Sequence, residues 1–155
     1  MIIIGFPGVG KSTLSRGVNP KYLDLESSMF TVNKKKIDNW EIPYVRTAEY
    51  LSRKGFDVFV SSHAEVSAQL EHSTEIVVMV FPDESLKVEW INRLRKRYAD
   101  SQLPKDKNAI RRMAMHYTED VNSMAAIAEE YQFPTVVLKS MDYDLKKELE
   151  EVKFI

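Results

Sequence analysis

Ile2, Ile3 and Ile4 run directly into Gly5-Phe6-Pro7-Gly8-Val9-Gly10-Lys11-Ser12, eight residues that match the pattern G-x-x-x-x-G-K-[ST]. No other stretch limits the fold as strongly. A β-branched run that stops at a glycine-rich loop predicts a buried strand, and the residues from Lys11 to Arg16 predict a helix that Gly17 and Pro20 stop. The glycines let successive backbone N–H groups point at one anion. Lys11 supplies a mobile positive charge, Ser12 a hydroxyl for Mg²⁺, and the helix the positive end of its dipole. A chance match in a glycine-rich turn would lack the strand before it and the helix after it. The motif therefore predicts binding of a nucleoside triphosphate by Gly8, Val9, Gly10, Lys11, Ser12 and Thr13.

The 155 residues fit one domain, residues 1–155, and a hydrophobic fraction of 44% is enough for a core. A net charge of −1 gives no argument for a nucleic-acid or membrane partner. The absence of cysteine excludes disulfides and a thiolate-bound zinc lid. The apolar runs are too short to span a bilayer, and no basic segment precedes Ile2. The expectation is a soluble, cytoplasmic protein, monomeric or homodimeric.

Along the chain, residues 21–24, 57–61, 76–81 and 135–138 read as further strands, the fourth of the five apolar throughout as befits a strand covered on both faces. Residues 30–42 are polar and basic, with Lys34-Lys35-Lys36, and read partly as loop. Helical spacing of Tyr44, Val45, Ala48 and Leu51 predicts a helix ended by Gly55. A short helix over 63–71 and a long one from Asp83 past Trp90, Ile91 and Leu94 toward Tyr98 follow. After a break at 102–106, two helices are predicted over 107–117 and 119–131, and a closing helix over 142–152. Strands alternating with helices predict a parallel sheet with helices on both faces.

No strand-borne D-x-x-G and no N-K-x-D occurs, which argues against a switch GTPase, and the chain is short for a large ATPase machine. With residues 5–13 at the start, Asp24-Leu25-Glu26 at a strand end and Arg93-Leu94-Arg95-Lys96-Arg97 on a helix, the chain resembles the nucleoside monophosphate kinase and shikimate kinase group of P-loop proteins. The resemblance covers roughly residues 1–138 in order of elements; only the P-loop is highly specific. The chain is also similar to small nucleotide-kinase-like proteins of bacteriophages that pair a P-loop with an Asp-Leu-Glu-Ser-Ser stretch. The resemblance implies a three-layer α/β P-loop NTPase sandwich of about five parallel strands in the order 2-3-1-4-5. It also implies a lid around residues 93–117.

It implies roles as well. Asp24 and Glu26, two apart at a strand end, project to one side of the carboxyl edge, where α/β sheets bind ligands. Ser12 and Asp24 would hold Mg²⁺, and Glu26 would meet the acceptor; Glu replaces the second Asp of the D-x-D pattern. The alternative is a solvated acidic turn in which Asp24 or Ser27 caps the next helix. Arg93 and Arg97 share a helix face and would clamp the moving phosphoryl group, with Arg111 and Arg112 as further lid candidates. Arg46 and His63 would face the acceptor, and Trp40 and Tyr44 would stack on a base or pack in the core. The third strand ends in Ser61-Ser62-His63, where the monophosphate kinases carry an acid. Ser61 or Ser62 would then touch the metal or the acceptor.

The resulting expectation is an ATP- and Mg²⁺-dependent small-molecule kinase acting on a nucleoside monophosphate. Two rivals stand beside it. One is a hydroxyl-directed kinase acting on a metabolite or a polynucleotide 5′ end, which an acidic base at the strand end favours. The other is a nucleotide-binding module without transfer activity, which the missing acid favours.

Overall fold

The computed structural model describes residues 1–17 and 21–153; Pro20, read above as a helix stop, lies outside them. Five strands, β1 (Ile2–Gly5), β2 (Tyr22–Asp24), β5 (Asp57–Val60), β6 (Val77–Pro82) and β7 (Thr135–Leu138), form one sheet. Its order is β2-β5-β1-β6-β7 with every pair parallel. Counted within this sheet alone, that is the expected 2-3-1-4-5. Every residue of β1, β5 and β6 is buried. Strands buried on alternating side chains must be covered on both faces, so helices lie above and below them, in accord with a three-layer arrangement.

The first two strands in sequence lie apart, with β5 between β1 and β2. In register, Ile3 faces Phe59 on one side and Val78 on the other. The helices are α1 (Lys11–Arg16), α2 (Glu41–Arg53), α3 (Ala64–Leu70), α4 (Lys87–Ser101), α5 (Pro104–Tyr131) and α6 (Leu145–Lys153). Short 3₁₀ turns over Ser27–Phe30 and Glu84–Leu86 precede the hairpin and α4. No helix of the described residues is long and apolar enough to cross a membrane.

Two segments differ from expectation. The basic stretch read partly as loop contains a hairpin, β3 (Thr31–Val32) with β4 (Lys35–Lys36). Its turn places Asn33 and Lys34 at φ of 53° and 65°, the left-handed region that Asn tolerates better than most residues. The two helices expected over 107–117 and 119–131 are one continuous helix, α5. Buried Met113, Tyr117, Val121, Met124 and Ala128 continue one apolar stripe through residue 118, where the two were expected to part. The expected break at 102–106 shrinks to Gln102 and Leu103. Gln102 ends α4 in a left-handed conformation and Pro104 opens α5 at its first turn, where its missing N–H costs nothing.

At the amino edge of the sheet, Asp57 is buried among three cations. The Lys153 ammonium lies 2.6 Å from one oxygen and Lys21 3.7 Å, while the Met1 amino group lies 3.4 Å from the other. This cluster ties α6 and the start of β1 to the edge opposite the glycine loop.

Candidate functional site

The glycine-rich loop leaves the carboxyl end of β1 and is held from outside by three side chains. Trp90 donates its indole N–H to the Pro7 carbonyl at 2.9 Å. Arg93 donates to the Gly8 carbonyl at 3.3 Å, and the Tyr143 hydroxyl to the Val9 carbonyl at 2.7 Å. Three consecutive carbonyls therefore face α4 and the segment before α6. The N–H groups of Gly8, Gly10, Lys11, Ser12 and Thr13 find no protein acceptor among the described residues. A run of amides free of internal partners at a helix start is the arrangement that receives an anion.

The sequence makes this geometry possible at Gly8 and Gly10, with φ of +90° and +110°. A Cβ at Gly8 would lie 3.0 Å from Trp90 Nε1, so the indole and the loop backbone require glycine there. Phe6 packs edge-on against Trp90 and Tyr117, which fixes the base of the loop to α4 and α5.

The loop opens on a cleft of about 1260 Å³. Its walls carry Lys11, Ser12 and Thr13 from the loop and α1, Asp24 and Glu26 from the end of β2, Ser61 from the end of β5, and Arg93, Arg97 and Lys105 from α4 and α5. Lys11 Nζ lies 3.4 Å from the Gly5 carbonyl. Burial lowers the pKa of Lys11, opposed by the nearby Asp24 carboxylate. Burial raises that of Asp24, opposed by Lys11; Glu26 adds to the rise, and Lys105 and Arg97 oppose it more weakly. A hard carboxylate and a hydroxyl, Asp24 and Ser12, line one cleft, and oxygen donors of this kind suit Mg²⁺. No group of three or more His, Asp or Glu side chains able to hold a metal gathers among the described residues, so a cation here would take its other ligands from water and phosphate oxygens.

The candidate residues divide. Lys11, Ser12, Thr13, Asp24, Glu26, Arg93 and Arg97 line the cleft. Glu26 is exposed and accepts a 3.3 Å hydrogen bond from Ser28. Arg93 is occupied: it stacks on Trp90 and Tyr143 at 4.8 and 5.1 Å and donates to the Tyr143 hydroxyl and, at 3.4 Å, to the Met141 carbonyl. Arg97 pairs with Asp106 at 3.1 Å, a buried carboxylate that also accepts from the Ser101 hydroxyl. Arg46 is exposed on α2 and is not among the residues that line the cleft. Arg111 and Arg112 are also outside it, Arg112 forking onto Asp120 at 2.7 and 2.9 Å. His63 lies just behind the wall, joined to it through Ser61.

Tyr44 and Trp40 are core rather than stacking platforms. Tyr44 is fully buried, its hydroxyl donating to the Leu25 carbonyl at 2.6 Å and accepting from the Ser61 amide at 2.8 Å. Lys105 and Tyr143 went unnoticed in the sequence. A lysine one residue into α5 and a tyrosine in a polar turn carry no local pattern; only the folded chain brings them beside Asp24 and Val9.

A second cavity of about 850 Å³ lies away from the loop, between α5 and the ends of β6 and β7, lined by residues such as Asp83, Asn122 and Lys139. The chain matches no protein-family model and has no significant match among curated proteins.

Proposed function

We propose that this chain is a P-loop phosphotransferase that moves the γ-phosphoryl group of ATP to a small acceptor, in the first place a nucleoside monophosphate. One observation carries the reading. Three loop carbonyls are bonded outward by Trp90, Arg93 and Tyr143, while unpartnered amides, Lys11 and Asp24 meet in one cleft at the carboxyl edge of the sheet. In this reading the loop amides and Lys11 bind the β- and γ-phosphates, and Ser12 and Asp24 hold Mg²⁺, directly or through water. Mg²⁺ supplies neutralisation of charge on the phosphoryl oxygens. Glu26 faces the acceptor, and Arg97 and Lys105 line the phosphoryl path. Catalysis is then positioning and charge stabilisation. Arg93 serves as a brace for the loop.

A hydroxyl acceptor is the second reading, favoured by the position of Arg46 outside the cleft and of two carboxylates within it. An alcohol needs a base, whereas a phosphate acceptor is already ionised.

The test is incubation with ATP, Mg²⁺ and separate nucleoside monophosphates, and then hydroxyl acceptors, with chromatography of the products. A diphosphate from one monophosphate is expected. Transfer to an alcohol alone favours the second reading. ATP hydrolysis unresponsive to every acceptor counts against both and leaves a binding module.

A further inference from the structure

Behind the cleft wall a line of three polar side chains ends on Ser61. Lys36 Nζ lies 3.4 Å from His63 Nε2, and His63 Nδ1 lies 2.7 Å from Ser61 Oγ. Lys36 comes from β4 of the hairpin, and its ammonium sits 4.2 Å above the Trp40 ring. That ring meets His63 edge-on at 5.2 Å. The Ser61 backbone is pinned by the Tyr44 hydroxyl, and its side chain lines the cleft with Asp24 and Lys11.

The donor and acceptor inventory fixes the direction of this line. A lysine ammonium has donors only, so Nε2 must accept. A neutral imidazole then carries its hydrogen on Nδ1 and donates it to Ser61 Oγ. Ser61 accepts from behind, and the Tyr44 hydroxyl, which already donates to the Leu25 carbonyl, is its other side-chain neighbour. Its own proton then has two directions, the Tyr44 hydroxyl and the cleft, and a charged phosphoryl oxygen is the stronger acceptor of the two. The charged groups around the imidazole are Lys36 on the hairpin, Glu65 on α3 and Lys11 on the loop. Burial and then Lys36 hold its pKa below the ordinary histidine value, with Glu65 opposing.

We propose that the Ser61 hydroxyl is a hydrogen-bond donor to a phosphoryl oxygen in the cleft, with His63 and Lys36 as positioning residues that fix its orientation. The inference rests on the phosphate-binding reading of the cleft and adds a donor where an acid was expected. Phosphoryl oxygens accept only, and the neighbouring Lys11, Arg97 and Lys105 bring positive charge to the same space. The oxygen belongs either to the triphosphate or to a monophosphate acceptor.

The experiment has two readouts on the full chain. The first is ¹⁵N NMR of the His63 ring at neutral pH. The expected state is protonated at Nδ1 and bare at Nε2, and Lys36→Ala should shift the population toward the other tautomer and raise the His63 pKa. The second is calorimetry with a magnesium-bound non-hydrolysable ATP analogue and with each nucleoside monophosphate, on the wild type and on Lys11→Ala, Ser61→Ala, His63→Ala and His63→Asn. Ser61→Ala should weaken one of the two ligand classes about tenfold or more, as expected for loss of a hydrogen bond to a charged group. The class affected tells which phosphoryl group is bound. His63→Asn, whose amide N–H stands near Nδ1, should retain more affinity than His63→Ala. A wild-type ring protonated at Nε2, or unchanged affinity of Ser61→Ala for both classes, overturns the proposal. Unchanged triphosphate affinity in Lys11→Ala overturns the loop assignment and leaves the Ser61 result to be judged on its own. A wild type that binds neither class overturns both.

Discussion

Trp90 and Pro7 are joined by a 2.9 Å hydrogen bond across 83 positions of sequence. The indole N–H is the donor, and the ring is fully buried against Phe6 and Tyr143. Trp90→Phe keeps most of the ring and removes the donor, stranding a shielded carbonyl. It should cost about 1–3 kcal/mol, a fall in Tm of roughly 2–4 °C per kcal/mol for a chain of this size. Triphosphate affinity should fall with it, since the Pro7 carbonyl is free to turn inward. Thermal unfolding and nucleotide titration of the same variant check both.

Gly8→Ala and Gly55→Ala should separate backbone strain from steric clash. Both residues have φ in the left-handed region, +90° and +97°, but a Cβ at Gly55 meets nothing within 4 Å while one at Gly8 meets Trp90. Gly55→Ala should lose about 1–2 kcal/mol of stability and no binding. Gly8→Ala should lose more stability and nearly all triphosphate affinity. Equal effects in denaturant unfolding and ligand titration would remove the special role of Gly8.

Lys11 and Asp24 are charged groups held in a site that disfavours their charge. Asp24 has its pKa raised, so the stability this group contributes is present below the ordinary carboxylate pKa and lost as pH rises through the folded value. Lys11 has its pKa lowered, so its contribution is present above the ordinary lysine pKa and lost as pH falls through the folded value. Between those windows both penalties apply. The double variant Lys11→Met/Asp24→Asn should therefore be more stable than the wild type at neutral pH, by about 1 kcal/mol, while binding no triphosphate. Denaturant unfolding across pH would show the gain, and a less stable double variant would contradict it.

Asp57→Asn should show the opposite pattern. Its carboxylate is buried and paired with Lys153, Lys21 and the Met1 amino group at the far edge of the sheet. Removing the negative charge leaves cations close together, one of them, Lys153, half-buried, at a cost of about 3 kcal/mol. Ligand affinity in the still-folded fraction should not change. Denaturant unfolding with a parallel titration would check it.

The sheet was legible in the sequence because its strands are short apolar runs bounded by glycine, proline or charge, and Thr135–Leu138 matches the expected span to the residue. The loop and Asp24 were legible because their spacing is local. The hairpin was not, since Lys34-Lys35-Lys36 carries no alternation and β3 and β4 are two residues each. Tyr143 was invisible for a different reason: its role is defined by a carbonyl 134 positions away. Arg93 and Arg97 were found as cleft residues, but their partners, Tyr143 and Asp106, lie on other elements and are set by the fold.

The bracing of the loop from outside also sets an order of events during synthesis. The motif itself is complete once residue 12 is made, yet the Val9 carbonyl has no partner until residue 143 is made. At about 5–20 residues per second the ribosome needs roughly 10 s to cover that distance. For the first half of that interval β1 also waits, since its neighbours β5 and β6 are complete only at Val60 and Pro82. The most recognisable segment of the chain is thus among the last to acquire its working shape.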